Sequence, residues 1–222
     1  MCGRFSFSPS DKIIEDRFNI SVINSIYKQR YNCAPSQNLA VISNEAPDNL
    51  SFFKWGLIPF WAKDKSIGNK LINARAETIA EKPSFKNSLK QKRCLVLSDG
   101  FYEWRKLGKE KVPYRITLSD DSPFAMAGIW DVWKNSEGET IKSFSIITTE
   151  ANELMQDIHH RMPVILNPED ERKWISKIAV NDALKLLNPY PSELMKYFEV
   201  SKLVNSPNND SPEIMISVNK LL

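Results

Sequence analysis

Short apolar runs recur along this chain between turn residues, at positions 39–43, 51–55, 94–98, 114–118, 124–130 and 143–149. Their length and bounding turns predict β-strands. A period nearer that of a helix occurs in three places. Ser8-Pro9-Ser10-Asp11 followed by Ile13, Ile14 and Phe18 predicts an N-cap, a first-turn proline and an amphipathic helix. Asn167-Pro168-Glu169-Asp170 starts a second helix running through Trp174 to Ile178, and Asn181-Asp182 a third through Leu184 to Leu187. The strands are not separated by regular helices, which argues against a parallel βαβ sheet. The predicted fold class is α+β, with a bent, partly closed antiparallel sheet flanked by short helices. There is no internal repeat and no plausible linker, and residues 205–212 form the one stretch with the composition of a polar loop. A single domain over residues 1–222 is therefore expected.

With 42% hydrophobic and 26% charged residues, the composition gives no case for disorder. No apolar run approaches the roughly 20 residues of a spanning helix, and no basic segment leads into an apolar one at the start. A cytoplasmic protein without a membrane partner is expected, with monomer as the default state. Cys2, Cys33 and Cys94 are widely separated and form no C-x-x-C pair. That pattern suggests neither a disulfide framework nor a zinc site, and no cofactor is expected. Cys33 and Cys94 are expected to be buried structural thiols. The net charge of +3 is small, but residues 63–93 carry nine basic and three acidic side chains. A local excess of that kind suits a polyanion or is simply a solvated face.

The opening Met1-Cys2-Gly3-Arg4 carries the sharpest chemical signal. Methionine before a small side chain is normally removed, which would leave an α-amine and a thiol on adjacent carbons. Such a 1,2-aminothiol captures an aldehyde as an imine and then closes a thiazolidine ring. Reference pKa values of about 8 for the amine and about 8.5 for the thiol put both nucleophiles within reach of neutrality. A small buried cysteine near a terminus is the alternative. Asn73 and Arg75, two apart, would share one face if their segment is extended, and suit a sugar and a flanking phosphate. They equally suit a solvent-facing strand. Glu103, among Phe101, Tyr102 and Trp104, is a candidate acid or base in a partly desolvated place, or a glutamate on the outer side of a strand. Asp157-Ile158-His159-His160-Arg161 holds both histidines of the chain. Adjacent imidazoles would point different ways and make poor metal ligands, leaving one to face a site or to bond structurally.

Met1 to Phe5, residues 32–37, Trp55-Gly56-Leu57-Ile58-Pro59 with Trp61, Asn73-Ala74-Arg75, Asp99 to Trp104, Ala127-Gly128-Ile129-Trp130 and Ile158 to Pro163 occur in one order. In that order the chain resembles the SOS response-associated peptidase family from residue 2 to about residue 214. The resemblance implies a shield for abasic sites, which binds single-stranded DNA, removes its own Met1 and links Cys2 to the aldehyde of the baseless sugar. It implies that Asn73 orients the opened sugar and the amine, and that Glu103 serves as the acid/base carboxylate. His159 would promote sugar opening and take part in reversal, with His160 dispensable. Arg4, Arg75 and Arg161 fit phosphate contacts, and Trp55, Trp61 and Pro35 an apolar surface for bases, with Trp55 equally suited to the core. Two other readings stay open. A class II glutamine amidotransferase also starts Met-Cys-Gly, with its α-amine as base. A noncovalent single-strand binding module needs only the basic segment and the tryptophans.

Overall fold

The apolar runs become strands of a sheet that is buried on both faces, which is why they read as near-continuous rather than alternating. The computed structural model describes residues 2–22 and 27–220. In chain order these form β1 (Phe5–Phe7), α1 (Asp11–Phe18), β2 (Arg30–Cys33), β3 (Asn38–Ser43), β4 (Ala46–Trp55), β5 (Asn73–Arg75), α2 (Lys86–Gln91), β6 (Arg93–Ser98) and β7 (Gly100–Leu107). There follow β8 (Glu110–Leu118), β9 (Phe124–Lys134), β10 (Thr140–Glu150), α3 (Glu153–Gln156), β11 (Arg161–Pro163), α4 (Pro168–Ile175), α5 (Val180–Leu184) and β12 (Met195–Glu199).

One sheet has the order β12-β8-β7-β1-β2. In the other, β10 pairs with β4, β4 with β3, β3 with β6, β6 with β9, and β9 with β10 again. The ring closes narrowly, since β10 meets β4 only at Lys54 and Trp55. The pairings of β10 with β4 and β5 are parallel and the other ladders antiparallel. The expected α+β class with a partly closed, mostly antiparallel sheet is what the chain adopts.

Alternation along each strand sorts its side chains between two cores. Leu39, Val41, Cys94, Val96, Phe144 and Ile146 pack with Cys2, Phe5 and Phe101 of the other sheet. Ala40, Ile42, Leu95, Leu97 and Ile147 face Ile14 and Phe18 of α1 and Trp174 and Ile175 of α4. Gly128 sits tight against β6: a Cβ there would lie 2.8 Å from both Cys94 Sγ and Val96 Cγ2. Arg93 is buried within a strand because its guanidinium donates to the carbonyls of Leu89, Trp174 and Ser176, which end α2 and α4.

Three helices differ from expectation. The first helix is capped at Ser10, not Ser8, so Pro9 lies outside it. Ser8 is drawn away instead, its N–H and Oγ both donating to Asp99 Oδ2 at 2.8 and 2.7 Å. The second ends at Ile175 rather than Ile178, because Ser176 turns extended and its Oγ donates to the Lys173 carbonyl. The third is capped at Ala179 instead of Asn181 and stops at Leu184 instead of Leu187, because the chain tightens there: the N–H groups of Leu186 and Leu187 bond only three residues back, to the Ala183 and Leu184 carbonyls at 3.2 and 3.1 Å. The polar stretch 205–212 fastens onto β2: Asp210 Oδ1 accepts from the N–H groups of Tyr31 and Asn32, and Oδ2 from Arg30 Nε. Cys33 and Cys94 are free and buried. Among the described residues no helix is long and apolar enough to cross a membrane, and no cluster of three metal-ligating side chains occurs.

Candidate active site

Four polar residues from distant parts of the chain meet at one end of β10. Cys2 precedes β1 and is fully buried beside Phe5 and Phe101. Its strand is pinned where the Tyr102 N–H donates to the Arg4 carbonyl at 2.9 Å. Burial, and after it the negative charge of Glu103, pushes the Cys2 thiol up to about 12. Along β7, alternation puts Phe101 and Glu103 on the Cys2 side and Tyr102 on the other, where its hydroxyl donates to the Tyr31 carbonyl. Glu103 is buried, and its charge acts on His159 as well as on Cys2.

β10 supplies both edges of the floor. Thr148 is paired with Arg75 of β5 on one side and with Pro163 of β11 on the other. The β5 register buries Ala74 and sends Asn73 and Arg75 to the opposite face, as expected for an extended segment. Asn73 Nδ2 donates to the Cys2 carbonyl at 2.8 Å. Its Oδ1 is buried with no hydrogen-bond partner among the described residues, so an acceptor stands ready beside the cysteine.

His159 lies in the turn before β11. Its Nδ1 accepts the Arg161 N–H at 2.9 Å, and burial, opposed by Glu103, holds its pKa below the ordinary histidine value. The expectation that the two histidines point apart is wrong. Their rings stack with centroids 4.3 Å apart, because the segment turns instead of extending, and His160 is the exposed member.

The other candidates separate. Arg75 is exposed and lines a cleft of about 490 Å³ with Glu150, Gln156, His160 and Arg161. Arg161 does not offer its guanidinium to solvent, since it is 7% exposed and forked on the Glu77 carboxylate. That contact in turn holds the Glu77 carboxyl below its ordinary value. Arg4 is half-buried, with Nη1 donating to Asn32 Oδ1 and the Val204 carbonyl, both at 2.8 Å. Trp55 is core: its indole donates to the Ile72 carbonyl and stacks on Phe144. Trp61 is 47% exposed. Pro35 is half-buried in a turn tied to the segment after Trp61 by Ser36 Oγ donating to Asn69 Oδ1. Met1 lies outside the described residues.

Two residues escaped the sequence reading. Phe60 stands beside Trp61 with 55% exposure, and an aromatic pair just after a proline, outside any strand period, was the available signal. Glu77, two residues beyond Arg75 in the same motif, carried none.

A sequence profile described as SOS response associated peptidase (SRAP) matches residues 1–207. The chain is 50% identical over 224 residues to the abasic site processing protein YoqW of Bacillus subtilis, which covers 98% of this chain and 100% of that one. It is 35% identical over 226 residues to the abasic site processing protein HMCES of Xenopus tropicalis, covering 86% of this chain and 67% of the relative. A crystal structure of a protein from Bacteroides thetaiotaomicron superposes with a TM-score of 0.90 at 35% identity, covering 98% of this chain and 100% of that one.

Proposed function

The chain belongs to the SOS response associated peptidase family, and from that premise we propose that it processes abasic sites by crosslinking Cys2 to the opened sugar in single-stranded DNA. Loss of Met1 frees the Cys2 amine. The amine adds to the sugar aldehyde and water leaves, giving an imine. The sulfur then adds to the imine carbon, its proton passes to nitrogen, and the thiazolidine closes. The observation that carries this reading is the convergence on Cys2: Asn73 bonded to its carbonyl, and Glu103 within electrostatic reach of both the thiol and His159. Asn73 would hold the reacting backbone and offer Oδ1 to a sugar hydroxyl or to the amine. Glu103 would accept the proton that Met1 hydrolysis and sulfur attack release, and His159 would hand a proton to the sugar ring oxygen as it opens.

Selectivity for damage follows from the reaction, since an intact nucleotide presents no aldehyde, and the protein need contact only backbone and shape. Denaturing gels with abasic and intact oligonucleotides test the reading. A band that survives denaturation with abasic DNA alone supports it; binding that vanishes on denaturation leaves only a noncovalent module. Ammonia release from glutamine would point to an amidotransferase instead.

The exposure of Arg75 in the cleft supports reading it as the arginine that meets a phosphate. Arg75→Ala is expected to weaken single-strand binding and to lower the slope of log affinity against log salt by about 0.7, the loss of one phosphate contact. An unchanged slope by fluorescence anisotropy would remove Arg75 from the interface. His159→Ala is expected to slow crosslinking by about 10²-fold or more in single-turnover assays, against less than about twofold for His160→Ala. Equal effects would mean that the stacked pair acts as a unit.

A further inference from the structure

Glu77 has no task in the mechanism above, yet it takes both terminal nitrogens of Arg161, Nη1 on Oε1 at 2.7 Å and Nη2 on Oε2 at 3.0 Å. Nη2 also donates to the Thr148 carbonyl at 2.6 Å. A two-pronged arginine–carboxylate contact fixes direction as well as distance. Here it anchors a short element, because β11 spans three residues and its ladder with β10 ends at the Glu150–Arg161 pair.

The position of the Arg161 backbone matters to His159. The Arg161 N–H, which can only donate, is 2.9 Å from Nδ1, so that nitrogen carries the lone pair and the neutral ring its proton on Nε2. The Arg161 carbonyl stands 3.2 Å from the same Nδ1 and favours the opposite tautomer. A small displacement of this residue therefore decides which nitrogen is protonated.

We propose that Glu77 is a positioning residue for His159: by clamping Arg161 it keeps that N–H on Nδ1 and holds the imidazole in its Nε2–H form. The consequence for the reaction rests on His159 being the proton donor proposed above. The clamp also occupies the Arg161 fork, so a phosphate entering the cleft meets Arg75 first and reaches Arg161 only by displacing Glu77.

The test compares wild type, Glu77→Gln and Glu77→Ala as full chains labelled with ¹⁵N-histidine. Long-range proton–nitrogen correlation reports the His159 tautomer, anisotropy reports binding of an intact oligonucleotide, and single-turnover gels report crosslinking at saturating abasic DNA. The expected wild type shows one Nε2–H pattern. The variants show a mixed pattern and crosslinking slower by about tenfold, while binding the intact strand at least as tightly because Arg161 is released. Structural damage alone would weaken binding too. Retention of the single wild-type pattern in every folded variant overturns the proposal, whatever the rates. If wild type forms no adduct, the crosslinking reading falls while the nitrogen pattern still decides the clamp.

Discussion

Cys2→Ala is expected to give no denaturation-resistant adduct with abasic DNA at any protein concentration or time. Alanine keeps the α-amine, so an imine with the sugar aldehyde still forms and borohydride still traps it. Without reductant that imine hydrolyses, because only sulfur closes the stable ring. Cys2→Ser should behave nearly alike, since an oxygen ring reopens readily. The environment of the thiol sets the order of events. Raised to about 12 by burial and then by Glu103, it is protonated near neutrality, so the amine attacks first and the sulfur needs its proton removed in place. A positioned base supplies roughly 10² to 10⁴ in rate for such a transfer, and buried Glu103, whose charge acts on the thiol, is the carboxylate proposed for it. A heat-stable, borohydride-independent band from Cys2→Ala, confirmed by intact mass, would remove the cysteine from the chemistry and the thiazolidine with it.

What the sequence disclosed follows from how each feature is held. The long strands were legible because β3, β6, β9 and β10 are buried on both faces, so their apolar runs are nearly unbroken. β1, β5 and β11 were harder, at three residues each, since so short a segment shows no period. Yet three residues of the proposed site lie in or just before them: Cys2 ahead of β1, Asn73 in β5 and His159 ahead of β11. Asn73 and the segment after His159 flank the same strand because β10 pairs with β5 on one edge and β11 on the other, a long-range fact that no local pattern contains. Their assignment to one site came from the order of motifs along the chain. Arg161 illustrates the opposite limit: an arginine beside a histidine suggests a phosphate contact, but whether its fork is vacant depends on Glu77, which arrives from another strand's end. Trp55 was more legible than the motif allowed, because it follows Phe53 by two in β4 and shares its inward face.

That last distinction makes the two tryptophans of one motif opposite experiments. Trp55→Ala is expected to lower global stability by about 3–5 kcal/mol in chemical denaturation, as for other large aromatic truncations in cores. The ring is 1% exposed, lies 5.2 Å from Phe5 between ring centres and stacks at 6.3 Å on Phe144. Its Nε1 donates at 2.9 Å to the carbonyl of Ile72, the residue immediately before Asn73. Any loss of crosslinking in this variant should therefore track loss of fold, and what persists after activity is referred to its own folded fraction measures the displacement of Asn73. Trp61→Ala should leave stability within about 0.5 kcal/mol, as surface changes usually do, and weaken single-strand binding by roughly five- to hundredfold, the worth of one base stacked on an aromatic ring. Phe60, at 55% exposure beside it, can carry part of that surface, so the single change should fall short of the Phe60→Ala, Trp61→Ala pair. Were Trp55→Ala to keep its unfolding midpoint and lose DNA binding, the indole would have to leave the core when a strand docks, and its packing on Phe5 and Phe144 would be the closed half of a moving element rather than part of the frame.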